Sequence, residues 1–193
     1  MVYITNLRRQ HEAVYRTLDE FGARTFRGWV EQKTARLKPK ESIMAQSATK
    51  NEGSLKAGKE GYFFKMNDLK QIDAGPTYST SRGTVVEGER MQIGLINKAR
   101  GSGSRLHSHP NEQFNYVLQG TLRVKIGDSP ESLCPAGTAI YVPPNVVHSM
   151  IATPEQDVIF YVCKDLTHGI AGIPADGINS GPHYEPGFGP KKV

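Results

Sequence analysis

From Gly61 onward the chain alternates apolar and polar residues in short runs, and each run is cut off by turn-forming residues. The runs predict strands over 61–65, 84–87, 90–97, 113–119, 121–126, 138–142, 148–152 and 157–163. Between them stand turn segments such as Gly101-Ser102-Gly103-Ser104, Gly127-Asp128-Ser129-Pro130 and Pro143-Pro144-Asn145. A two-residue period sends successive side chains to opposite faces, so runs this short fold as a β-sandwich or a small barrel, not as a helical bundle. Twenty Gly and twelve Pro in 193 residues supply the turns that such a fold needs. No segment repeats, so one β domain is expected.

Ahead of the alternation the character changes. Residues 5–21 have helical spacing: Thr5 or Asn6 can cap the first turn, Leu7, Val14, Leu18 and Phe21 fall near one face, and Gly22 can end it. A second helix is expected over 25–37, stopped by Pro39, and residues 40–60 have the small, polar composition of a linker. The expected organisation is a basic, partly helical arm over 1–58, a β domain over 59–166 and a Gly/Pro-rich coil tail over 167–193. The arm reads either as a native segment that docks on the domain or on a partner subunit, or, over 1–43, as sequence upstream of a start at Met44.

Charge is as uneven as structure. Residues 1–58 hold 11 Lys/Arg against 6 Asp/Glu, whereas 59–193 hold 13 of each, so the net charge of +5 belongs to the arm. A neutral β domain offers no basic stripe, and nucleic acid is not expected as its partner. The longest apolar run, 158–163, is far too short to span a bilayer, and no apolar stretch follows the N-terminal charges. No membrane partner or secretory signal is therefore expected, and a cytoplasmic location follows. Cys134 and Cys163 are too few for a disulfide framework and are expected as reduced thiols.

Residues 107–113 read His-Ser-His-Pro-Asn-Glu-Gln, and two histidines one residue apart look like half of a metal site. In an extended chain His107, His109, Asn111 and Gln113 face one side and Glu112 the other. The neutral amide, not the neighbouring acid, is thus expected to join the histidines.

The spacing of Gly101, His107, His109, Gln113 and Gly120 resembles the first motif of the cupin superfamily. Pro135, Gly137, Pro143 and His148, with Gly127 upstream, resemble the second. The resemblance covers about residues 80–165. It implies an all-β, antiparallel jelly-roll β-barrel, here with a helical N-terminal extension. It also implies one divalent metal ion (Fe, Mn, Ni, Zn or Co, with iron favoured) bound by His107, His109, Gln113 and His148. Cupins usually carry Glu where Gln113 stands. A neutral amide leaves the ion its full charge, which should weaken retention and strengthen it as a Lewis acid. Cupins with three His and a Gln include an enzyme that acts on unsaturated uronates, but that enzyme uses an Asp on the last strand. Here the corresponding stretch is Val158-Ile159-Phe160-Tyr161, so the substrate is not carried over.

Strand parity places Asn115, Val117, Met150 and Ala152 inside, together with one of the two faces of the last strand, and no acid or base among them. Such a lining fits a small apolar, aromatic or enolic substrate. The resemblance then implies a divalent-metal-dependent enzyme, with dioxygenase chemistry favoured over isomerase or lyase chemistry because no interior base is in view. Tyr141 and Tyr161 are the candidates to donate a proton or hydrogen bond. The alternative is a non-catalytic, metabolite-binding sensor cupin. Phe114, Tyr116 and Leu118 should point outward and need a cover, for which a homodimer is expected. His11, His168 and His183 lie outside both motifs, although His168 follows the last strand closely enough to reach the mouth.

Overall fold

The computed structural model describes residues 49–190, and the helices expected over 5–21 and 25–37 lie outside them. Among the described residues no α-helix forms, and the only helical element is the 3-10 turn Met66–Asp68. In chain order the first strands are β1 (Leu55–Lys56), β2 (Ile72–Asp73), β3 (Arg82–Glu87), β4 (Met91–Lys98) and β5 (Ser102–Gly103). Next come β6 (His107–Ser108), β7 (Gln113–Gln119), β8 (Thr121–Ile126), β9 (Ser132–Pro135) and β10 (Ala139–Val142). The last are β11 (His148–Ala152), β12 (Val158–Asp165), β13 (Ile173–Pro174) and β14 (His183–Tyr184). No described helix is long and apolar enough to cross a membrane.

These strands make two sheets. One runs β1-β3-β4-β12-β7-β10 with β2 beside β3, and the other runs β13-β6-β11-β5-β14 with β8 on β11 and β9 on β8. β1 on β3 is a parallel pair, and the remaining pairs are antiparallel. No strand pair joins the sheets among the described residues, which corrects the expected closed barrel to two facing sheets. The chain passes between the sheets at tight corners in place of hydrogen-bonding around them. The sharpest lies between β7 of the first sheet and β8 of the second, with Gly120 alone between them. Gly120 has φ +75°, and an added Cβ would lie 2.7 Å from the Asp157 carbonyl oxygen. Gly120→Ala should therefore cost about 1–3 kcal/mol, read as a lower midpoint in urea unfolding with an unchanged slope.

Between the sheets lies one apolar core that includes Val117, Leu122, Val142, Val158, Phe160 and Val162. The alternation of β7 comes out as read: Asn115 and Val117 are buried, whereas Phe114, Tyr116 and Leu118 are exposed. The run 61–65 is not a strand. β1 takes one half of the free edge of β3, opposite Val86 and Glu87, and β2 takes the other half, opposite Arg82 and Gly83. No edge remains for 61–65, and Tyr62 and Phe63 stay exposed.

The tail also departs from expectation. β13 pairs with β6 and β14 with β5, so the expected coil lines the one edge of the second sheet that β6 and β5 make beside β11, and β9 forms the opposite edge. Its residues Ala175, Asp176 and His183 line a surface hollow together with Ser149 and Ile151 of β11, a strand buried along its whole length.

Candidate metal centre

The motif residues reach one place from both sheets. His107 on β6 and His148 on β11 stand directly opposite each other in an antiparallel pair. His109 comes from the loop ahead of β7, and Gln113 is the first residue of β7 in the facing sheet. All four side chains are buried. The ring centroids of His107 and His148 are 4.1 Å apart, those of His109 and His148 4.8 Å, and those of His107 and His109 6.2 Å. His148 therefore stands between the other two. Among the described residues no group of three or more His, Cys, Asp or Glu side chains is drawn together tightly enough to hold an ion outright.

The backbone fixes how each ring presents itself. His107 Nδ1 lies 2.8 Å from the Arg105 carbonyl oxygen, His148 Nδ1 2.8 Å from that of Val146, and His109 Nδ1 3.1 Å from that of Asn111. A carbonyl can only accept, so each Nδ1 carries the proton and each Nε2 keeps its lone pair. Burial holds the rings neutral. It takes His107 down to about 2, helped by the neighbouring His148. Burial and then the Lys164 charge take His109 to about 3, and burial takes His148 to about 4 against the pull of the Val146 carbonyl. His109 Nε2 is buried without any hydrogen-bond partner. An orphaned, unprotonated imidazole nitrogen beside two others is the donor set that a borderline divalent ion takes. The side chains present fit such an ion.

Gln113 and Glu112 divide as strand parity requires. Gln113 is buried, its Nε2 donates to Asn115 Oδ1 at 2.8 Å, and its side chain also lies beside His109. Asn115 in turn donates to Met150 Sδ at 3.7 Å, so the next inward residue of β7 orients Gln113. Glu112 is exposed and accepts from the Tyr141 hydroxyl at 3.1 Å on the outer face. Asn111 shares the inward parity and is fully buried, but it serves the fold: its Nδ2 donates to the carbonyls of Asp165 and His168.

A cavity of about 50 Å³ adjoins the histidines, lined by His107, Gln113 and His148 together with Tyr78, Lys98 and Lys164. By the ~10–15 Å³ that one water needs, it has room for a few water-sized bodies. The expectation of an interior without a base is wrong. β12 turns Val158, Phe160, Val162 and Lys164 inward, and β4 turns Gln92, Ile96 and Lys98 inward. Burial pushes both lysines down to about 7, opposed at Lys164 by the Asp165 charge. The tyrosine candidates are also corrected. Tyr141 sits exposed against Phe114, with ring centroids 4.9 Å apart, and Tyr161 has the outward parity of β12. The tyrosine at the site is Tyr78, 4.5 Å from the His107 ring, its hydroxyl accepting from the Gly172 N–H at 2.6 Å. Burial raises the Tyr78 hydroxyl to about 12. No strand signal marks this residue, because it lies in the loop between β2 and β3. His168 is exposed and contributes only its carbonyl, His183 lies 3.1 Å from Glu185, and His11 is outside the described residues.

Residues 95–163 match the family model described as the cupin domain. Solved structures to which part of the chain is similar include an RmlC-like cupin from Shewanella frigidimarina, 22% identical over 54% of this chain and 89% of that one, with a TM-score of 0.46. KdgF from a Halomonas species is 21% identical over 53% of this chain and 93% of its own, also with a TM-score of 0.46. A cupin-like protein from Thermotoga maritima is 25% identical over 40% of this chain, with a TM-score of 0.38, and the match spans 58% of that protein's length. No curated protein matches the sequence.

Proposed function

We propose, from the premise that residues 95–163 are a cupin domain, that the chain is a divalent-metal-dependent enzyme acting on a small organic molecule in the cavity beside His148. His107, His109, Gln113 and His148 would hold the ion. The observation that carries this reading is the shared arrangement of the three rings, each Nδ1 tied to a carbonyl and the His109 Nε2 left buried and unpartnered. When bound, the ion supplies a Lewis acid, or with iron a redox centre, at the cavity wall.

The chain's own groups narrow the chemistry. Dioxygenase chemistry was favoured for want of an interior base, and Lys98 and Lys164 remove that ground. Two amines on the cavity wall can take up and return a proton, which favours isomerisation or elimination over oxygenation. Phe160, Val162 and Met150 give the same space an apolar wall, and Asn115 holds the Gln113 amide in place beside it. The test is to screen the metal-loaded protein against small enolic, phenolic and carboxylic compounds, following product by NMR and oxygen by electrode. Turnover without oxygen uptake is expected. Saturable binding with no turnover would instead support a metabolite sensor.

The chain is also proposed to act as a homodimer. Phe114, Tyr116, Leu118 and Tyr141 form an exposed apolar face on neighbouring strands of the first sheet. Light scattering at micromolar concentration should give twice the chain mass.

A further inference from the structure

Lys98 and Lys164 are each 2% exposed. A buried ammonium is costly unless a carboxylate neutralises it and acceptors take its protons. Neither requirement is met among the described residues. No carboxylate oxygen lies within salt-bridge distance of either amine. Lys98 Nζ donates to Ser79 Oγ at 3.1 Å and Ser81 Oγ at 2.6 Å, and Lys164 Nζ donates to the Ile170 carbonyl at 2.8 Å. In its protonated form each amine has three N–H donors, so one on Lys98 and two on Lys164 are then left over. Both side chains line the cavity of the histidines, and no Asp or Glu lines it.

The two amines approach from different ends. In the β4–β12 register Lys98 faces Val158 and Lys164 faces Gln92, which sets them six residues apart along paired strands. At about 3.3 Å per residue their backbones are about 20 Å apart. The charge of Lys98 is felt at His107 and His148, and that of Lys164 at His109 and His148. The lysines thus bracket the histidine cluster. At the Lys98 end the hydroxyls of Ser79 and Ser81, 2.9 Å apart, add further polar contacts.

We propose that the cavity receives a small organic acid, its anionic groups held by Lys98 with Ser79 and Ser81 at one end and by Lys164 at the other. This rests on the cavity being the reaction site proposed above, and it names the substrate class of that site. The spare donors and the missing counter-charge are supplied together by a carboxylate, through charge-assisted hydrogen bonds that no neutral ligand can match. It replaces the apolar or aromatic substrate expected from the Met, Val, Phe and Tyr content of the strands.

The test is calorimetric titration of malonate, with malonamide as its uncharged counterpart, into the protein as purified and after dialysis against a chelator. The wild type should bind malonate saturably in both forms and malonamide in neither. Lys98→Met and Lys164→Met should each weaken malonate binding about tenfold while leaving the content of bound metal unchanged. Met keeps the length of the stem and removes the buried charge, so both variants should unfold at higher temperature than the wild type. A chelator-treated wild type that fails to bind malonate, equal binding of malonamide, or variants that bind malonate like the wild type would each overturn the proposal. A protein that takes up no metal but still shows lysine-dependent malonate binding would refute the metal reading and leave this one standing.

Discussion

His148→Ala should weaken binding of a divalent ion by at least roughly 100-fold, more than the 10–100-fold that loss of an outer positioning group costs. His148 is the ring that lies 4.1 Å and 4.8 Å from the other two, so its removal deletes the donor that stands between them and leaves His107 and His109 6.2 Å apart. The readout is competition for a chromophoric chelator. His148 is almost fully buried, and its alanine variant leaves a space beside Met150 on the cavity wall, so circular dichroism must accompany the measurement. His168→Ala supplies the control. His168 is exposed and bonds only through its backbone, so this change should leave affinity at the wild-type value.

Gln113→Glu should tighten the same binding by about 10–100-fold, about 1.4–2.7 kcal/mol, because it adds a full negative charge at ligand distance in a low-dielectric site. The gain should be paired with slower turnover, since an ion neutralised by a carboxylate polarises substrate less. The donor from Gln113 Nε2 to Asn115 is lost in the variant, so part of the gain is spent on a freer side chain. Glu112→Gln tests the opposite face and should change affinity little, because Glu112 points to solvent and meets Tyr141.

The sequence was most legible where one strand carries one clear alternation. On β7 the polar-apolar order put Asn115 and Val117 inside and Phe114, Tyr116 and Leu118 outside, and it separated Gln113 from Glu112. The structure follows each of those assignments. β12 was ambiguous because Ile159, Tyr161 and Cys163 are as apolar as Phe160 and Val162, so periodicity alone could not choose the inward face. Pairing with β4 and β7 makes the choice, and it is not a local property.

The two lysines escaped for a related reason. The strands expected from the sequence stop at Asn97 and Cys163, where the apolar runs give out, and Lys98 and Lys164 stand one residue beyond those bounds. The backbone ladder carries both strands past those points, and the inward parity carries the lysines with it. Tyr78 and the tail strands lie in Gly- and Pro-rich stretches whose structure depends on distant partners. Tyr78 is held by Gly172, and β13 and β14 exist only as edges to β6 and β5. A pattern of two-residue strands leaves almost no periodic signal to read.

The central claim is that His107, His109, Gln113 and His148 form one divalent-metal site. Elemental analysis of the full chain, purified without added metal and then titrated with Fe, Mn, Co, Ni and Zn, tests it most directly. About one ion per chain is expected for at least one of these metals, retained in Glu112→Gln and lost in His148→Ala. No uptake of any of them by folded wild-type protein, or an ion stripped by Glu112→Gln while His148→Ala and Gln113→Glu change nothing, would contradict it.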